Sequence, residues 1–258
     1  MTPIKLLIFT CIIISSCKKS IPPVNAEVMI LIDNTDTLFS SQIDISKDLE
    51  KILSWNCINP RGNSYDNLRN GIEIQIASLS DVSDVKPMRL LLAPDDKNAI
   101  TGNTEARRRI VNQYIYSLHN MVKTLSRNGS NNLKSSKLMV NVCQKAKNLS
   151  LKKADKKLMI IYSDFLENSE YYTFYKKSEA QITKDIENMN PVINRLKQDC
   201  EFPDLGTITI HAIPIRNPKS DREVTLAVRY WRKLFQSFNG EFNAGAQLEL
   251  EACLSKIN

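Results

Sequence analysis

The sequence is poor in the residues from which most enzyme sites are built. It has two histidines, His119 and His211, far apart, and neither sits in a His-x-x-x-His or Cys/His cluster, which removes most zinc chemistry. Seven glycines, with no Gly-x-Gly-x-x-Gly and no Gly-Lys-Ser/Thr run, exclude the backbone phosphate cradles of dinucleotide folds and P-loops. There is no internal repeat, and no linker is long enough to split the chain. What is present is ordinary globular material: 258 residues, 42% hydrophobic, enough to bury a sizeable core. The formal charge is +7, but both signs are spread along the chain, so no segment reads as a disordered basic tail. A site in such a chain must be made of carboxylates, hydroxyls and amides, which points to oxygen-ligand metal sites or to binding without catalysis.

The N-terminus carries the most specific local signal. Lys5 precedes an apolar run over residues 6–14, followed by Ser15-Ser16-Cys17-Lys18-Lys19. A run of nine residues, apolar but for Thr10, is too short to cross a bilayer as a helix, which takes about 20, so the segment reads as a signal peptide. Its end, Ile14-Ser15-Ser16-Cys17, resembles the bacterial lipobox. That resemblance implies a leader over residues 1–16, lipid on the Cys17 thiol, a short tether over residues 17–26 and a domain over residues 27–258. The eight residues from Lys18 to Asn25 include Pro22-Pro23 and reach at most about 26 Å, so the domain would work close to its membrane in the bacterial cell envelope, on the periplasmic or surface side. An exported chain meets no nucleic acid. Arg107-Arg108-Arg109 is therefore expected to be a solvated helix face near anionic headgroups. Export also permits disulfides among Cys57, Cys143, Cys200 and Cys253, with three pairings or free thiols open; Cys143 lies in an apolar helical stripe, as a small core residue would.

Strand and helix signals alternate from residue 27. Residues 27–32, apolar from Val28 onward, form a run ending at Asp33, as in a strand buried on both faces. Residues 46–55 have helical spacing, 72–76 have period two, and 88–93 form another strand, reached by a short turn-rich connection that predicts an antiparallel hairpin. The clearest helix is 104–127, with Ile110, Val111, Tyr114, Ile115, Leu118, Met121, Val122 and Leu125 on one face and Asn128-Gly129 as its stop. A second helix presents Leu138, Val142, Cys143, Ala146 and Leu149 inward. Lys152-Lys153 and Lys156-Lys157 close it as a solvated run, before a second buried strand over 158–162 that ends at Ser163-Asp164. A helix over 178–190, another capped by Asn190-Pro191, a strand over 207–213 and a helix over 222–238 complete the pattern. His119 and His211 are read as packing residues. The expected fold is a doubly wound α/β domain with a mostly parallel central sheet, one antiparallel edge strand and helices on both faces, Rossmann-like in plan.

In open α/β sheets ligands bind beyond the carboxyl ends of strands. Two buried strands here end in aspartate, one running into Asp33-Asn34-Thr35-Asp36-Thr37 and the other into Ser163-Asp164. Hydroxyls at alternate positions after a strand-terminal Asp, with a second Asp from an adjacent strand, suit a hard divalent cation. At these residues the chain resembles the von Willebrand factor A (VWA) family, whose metal-ion-dependent adhesion site (MIDAS) uses Asp-x-Ser-x-Ser after the first strand, a Thr or Ser from a later loop and an Asp after the fourth strand. The resemblance runs over residues 27–240. It implies a site of Asp33, Thr35, Thr37, Ser136 and Asp164, with Thr in place of both serines and Ser135 beside Ser136 as the other choice for the loop hydroxyl. It also implies Mg²⁺ or Mn²⁺ held directly by the hydroxyls, aspartates acting partly through water, and a position open to a carboxylate from a protein partner, with no turnover.

Two other readings share the same residues. Haloacid-dehalogenase phosphatases place Asp-x-Asp-x-Thr after a buried strand; Asp33 and Thr37 fit, but position 35 is Thr where the general acid should stand. Alternatively, Asp33 and Asp164 cap the helices that follow their strands in a metal-free structural domain.

Overall fold

Residues Ala26–Ile32 are buried on both sides and form β1, the strand about which the rest of the sheet is laid down. The structure, a computed structural model, describes residues 24–33, 45–62, 64–79, 87–97, 100–127, 137–215 and 221–253. The other strands are β2 (Ile72–Ser78), β3 (Met88–Leu92), β4 (Lys156–Ser163), β5 (Thr209–Pro214) and β6 (Glu241–Ala244), in the spatial order β3-β2-β1-β4-β5-β6. All neighbours are parallel except β2 and β3, which pair antiparallel with Ile74 opposite Leu90. This is the expected doubly wound, mostly parallel α/β sheet with one antiparallel edge, a VWA-like and Rossmann-like architecture.

Side-chain alternation divides the core between the two faces. Val28, Ile30 and Ile32 of β1 join Leu49, Ile52 and Leu53 of α1 (Ile45–Trp55) and Val111, Tyr114 and Leu118 of α2 (Thr104–Arg127). Met29 and Leu31 face the opposite way, onto α3 (Leu138–Ser150), α4 (Glu179–Glu187), α5 (Asn190–Asp199) and α6 (Asp221–Gln236). On this second face Trp231 and Phe235 of α6 pack against each other and against Phe165 and Phe242. Cys143 is fully buried there, as its stripe predicts.

After β6 the chain returns over the α1 side without a helix. Leu248 is buried, its carbonyl accepts from Lys51 Nζ at 2.8 Å, and Cys253 N donates to Ser54 O at 3.1 Å. Cys253 is disulfide-bonded to Cys57, 196 residues away, which settles one pairing that the sequence left open. A cross-link closing so long a loop restricts the unfolded chain strongly, by about 5 kcal/mol in the chain-entropy account. The double variant Cys57→Ser/Cys253→Ser should therefore unfold at clearly lower urea, with a steeper slope because the unlinked chain exposes more surface; an unchanged midpoint would show that the strap is held by its other contacts alone.

The structure corrects several expectations. Arg107 is not on a solvated face: it is 5% exposed, with Nε donating to Leu68 O at 2.7 Å and Nη2 to Ala93 O at 2.8 Å and to Arg69 O and Asn70 O at 3.3 Å. Arg108 pairs with Glu105 and donates to Gly62 O, so only Arg109 of the three is exposed. Ile110, expected inward, is 51% exposed. The lysine run is not simply solvated. Lys152 Nζ lies 3.5 Å from Glu27 and 3.3 Å from Glu73, two carboxylates side by side on β1 and β2. Lys156 belongs to β4 and donates to Trp55 O, and Lys157 donates to Ser150 O. Burial first, then the Glu73 charge, raises the Glu27 carboxyl above its usual value, with Lys152 opposing. Met189 is the N-cap of α5, with Asn190 and Pro191 already in its first turn, and β6 was not foreseen. The Leu125 side chain and the stop at Asn128-Gly129 lie outside the described residues.

Candidate functional site

The switch point of the sheet lies between β1 and β4: the connection after β1 leads to β2 on one side, whereas β4 and the strands after it continue on the other. Crevices outside strand ends form at such points. Register places Ile32 opposite Tyr162, so Asp33 and Asp164 leave adjacent parallel strands at the same edge. The two sequence-predicted aspartates are thus brought together by topology. Thr35, Thr37, Ser136 and its alternative Ser135 lie outside the described residues, as does Cys17.

Asp33 is wholly buried. Its N–H donates to Tyr162 O at 2.8 Å, and its Oδ2 accepts from Ser163 Oγ at 2.8 Å. Ser163 Oγ in turn accepts from Phe165 N at 2.9 Å. Asp164 is half-buried and accepts from Leu166 N at 2.9 Å, an Asx turn. It does not cap a following helix, because the next one, α4, starts only at Glu179.

The turn after β4 is held tightly. Phe165 is 1% exposed and adopts φ 62°, a left-handed conformation costly for a residue with a Cβ. Its ring packs edge-on to Trp231, whose Nε1 donates to Phe165 O at 3.0 Å. These contacts offset the backbone cost. Glu167 follows, fully buried, with Oε2 accepting from Met139 N in the first turn of α3 at 2.8 Å, a favourable end of a helix for a carboxylate. Its Oε1 has no hydrogen-bond partner. Burial pushes its pKa up to about 8, the Asp33 charge adds to the rise, and contacts with Ser169 and Met139 oppose it. Tyr175 is 54% exposed; burial of the rest of its side chain, then the charges of Asp164 and Asp33, raises its phenol above the usual value.

Glu167, Ser163 and Tyr175 were not singled out from sequence. Ser163 carried a signal, as the hydroxyl preceding a strand-terminal Asp; Glu167 and Tyr175 lie in an irregular loop where no period marks a side chain as inward or outward.

The donor chemistry fits a hard divalent cation in part. Apart from the Trp231 indole, every polar side chain named here carries only oxygen, but the buried Glu167 carboxyl, raised to about 8, adds no negative charge at neutral pH. Among the described residues, however, no three His, Cys, Asp or Glu side chains form a group able to hold a metal ion. A bound ion would need the hydroxyls of the first motif and of the loop before α3 as well as the two aspartates. Among the described residues no helix is long and apolar enough to cross a membrane.

No protein-family model matches the sequence, and the sequence has no match among curated proteins. Solved structures do align with it. Human Sec24c, a COPII-coat protein, is 10% identical with a TM-score of 0.47; the alignment covers 88% of this chain and 30% of Sec24c, so this chain spans under a third of that protein's length. An aerotolerance-related membrane protein from Bacteroides fragilis carrying multiple mutations to serines is 11% identical, with a TM-score of 0.35 and 85% and 91% coverage of the two chains. BatB, a conserved hypothetical protein from Bacteroides thetaiotaomicron, is 8% identical, with a TM-score of 0.37 and 86% and 91% coverage.

Proposed function

We propose that this chain is a membrane-anchored VWA-like binding domain that engages a protein partner through a divalent-metal site of the MIDAS type. The observation that carries the reading is Asp33, wholly buried at the β1–β4 switch point, hydrogen-bonded to Ser163 and one strand away from Asp164. A buried strand-end carboxylate oriented by a neighbouring hydroxyl is a costly arrangement that a domain without a ligand gains little by keeping.

Thr35, Thr37 and Ser136 would hold the ion directly. Asp33 and Asp164 would orient its water and balance its charge. Bound Mg²⁺ or Mn²⁺ supplies an electrophilic position that a partner's Glu or Asp side chain can occupy. Ser163, by donating to Asp33 Oδ2, orients that carboxylate, and Tyr175 offers a phenol at the edge where a partner would approach. The roles proposed for these groups are to ligate, to orient and to balance charge, so the reading is one of binding without turnover. Lipidation of Cys17 would keep the domain against a membrane of the bacterial cell envelope, with a tether too short for it to act at a distance.

The open coordination position can be tested with Mn²⁺ as the probe. Water-proton relaxation should be enhanced when Mn²⁺ binds the full chain in detergent, and millimolar acetate should lower that enhancement by displacing bound water. Enhancement indifferent to acetate would contradict a position open to carboxylates. The anchor is tested separately, by the mass of the N-terminal peptide: acyl chains on Cys17 are expected, and an unmodified mature end starting elsewhere would exclude it.

A further inference from the structure

Cys143 and Cys200 are the two described cysteines outside the disulfide, and the fold sets them against each other. Cys143 lies on the inward stripe of α3, and Cys200 is the C-cap of α5. Cys143 Sγ donates to Cys200 O at 3.1 Å, which sets the two residues side by side. One turn further along the same face of α3, Lys147 pairs with Glu201, the next residue after Cys200, which holds φ 49°. Two consecutive residues of the turn therefore meet two residues spaced i, i+4 on one helix. This double contact fixes the turn against α3. The sulfurs do not merely pass near one another in a flexible segment.

We propose that Cys143 and Cys200 are a dithiol modification site, oxidised to a second disulfide by exchange with an external disulfide such as oxidised glutathione or a thiol–disulfide oxidoreductase. The inference is independent of the metal reading. Cys200 is half-buried and Cys143 fully buried, so Cys200 is the sulfur an outside reagent reaches. Once Cys200 is ionised, the Cys143 S–H can turn from the Cys200 carbonyl to the thiolate, which lowers the Cys200 thiol below its usual value and, with burial, pushes the Cys143 thiol up. The Cys200 thiolate attacks one sulfur of the external disulfide, forms a mixed disulfide and expels the first thiolate. Cys143 then gives up its proton to solvent and attacks Cys200 Sγ, expelling the second thiolate. Two thiols are oxidised to one disulfide while the external disulfide is reduced to two thiols, so electrons and protons balance. The new bond would join the middle of α3, whose first turn holds Glu167, to the end of α5.

The test is to treat the full chain with oxidised glutathione without reductant, block remaining thiols under denaturing conditions and map unreduced peptides by mass. A peptide pair joined through Cys143 and Cys200 is expected beside the Cys57–Cys253 pair, with a melting temperature higher by roughly 10 °C, given the loop that the bond closes. Cys143→Ala should leave glutathione trapped on Cys200, and Cys200→Ser should leave Cys143 unmodified. Both thiols still alkylatable in the native sequence, glutathione retained on Cys200 there, or a linked form that melts lower would overturn the proposal.

Discussion

Arg107→Ala is expected to destabilise the domain by roughly 3 kcal/mol, and so to lower its melting temperature by about 6–12 °C. The side chain is buried, and its guanidinium donates to carbonyls of Leu68, Arg69, Asn70 and Ala93. These carbonyls belong to two loops, one before β2 and one after β3, so a single planar fork ties α2 to both. Removing it strands buried acceptors, each worth about 1–3 kcal/mol when unsatisfied. Arg107→Lys should recover only part of the loss, since an ammonium has one nitrogen and no fork. A melting temperature within about 2 °C of the native value for the alanine variant would mean that water replaces the guanidinium without penalty.

The second large effect concerns Glu167. Its pKa is raised from 4.5 to about 8, so the folded state holds a proton that the unfolded chain releases. Stability from this group is full below about pH 4.5 and is lost as pH rises through about 8. Against Glu167→Gln, which keeps an oxygen for Met139 N–H and carries no charge, the native protein should lose roughly 3 kcal/mol between pH 5 and pH 8. Urea unfolding of both proteins across that range, in chelator, measures the difference directly. Parallel profiles would show that Glu167 is ionised throughout and that its buried oxygen is solvated.

Burial also explains which parts of the molecule were legible in the sequence. The bounds of α2 could be read because a long amphipathic period leaves little freedom, and β1 and β4 because unbroken apolar runs have few other uses in a chain of this composition. Glu27 and Glu73 show the limit of that logic: both sit buried in strands, and what makes this tolerable comes from elsewhere in the sequence, Lys152 for both and Arg89 and Gln75 for Glu73. Arg107 misleads for the same reason, since three adjacent arginines look like solvated charge until the loops that accept from one of them are placed. The strand β6, with Phe242 its one buried residue, is too short to show a period. At the site, Asp33 and Asp164 could be found because each closes an apolar strand. Glu167 could not, because what buries it is the first turn of α3 arriving from elsewhere in the chain.

The central claim, a divalent ion held at the β1–β4 edge, is tested most directly by calorimetric titration of Mg²⁺ and Mn²⁺ into the chelator-treated full chain in detergent, beside Asp164→Ala. Saturable binding to the native protein, lost in the variant while both remain folded, is the predicted result. Equal heats for the two proteins, or no binding to either, would contradict it.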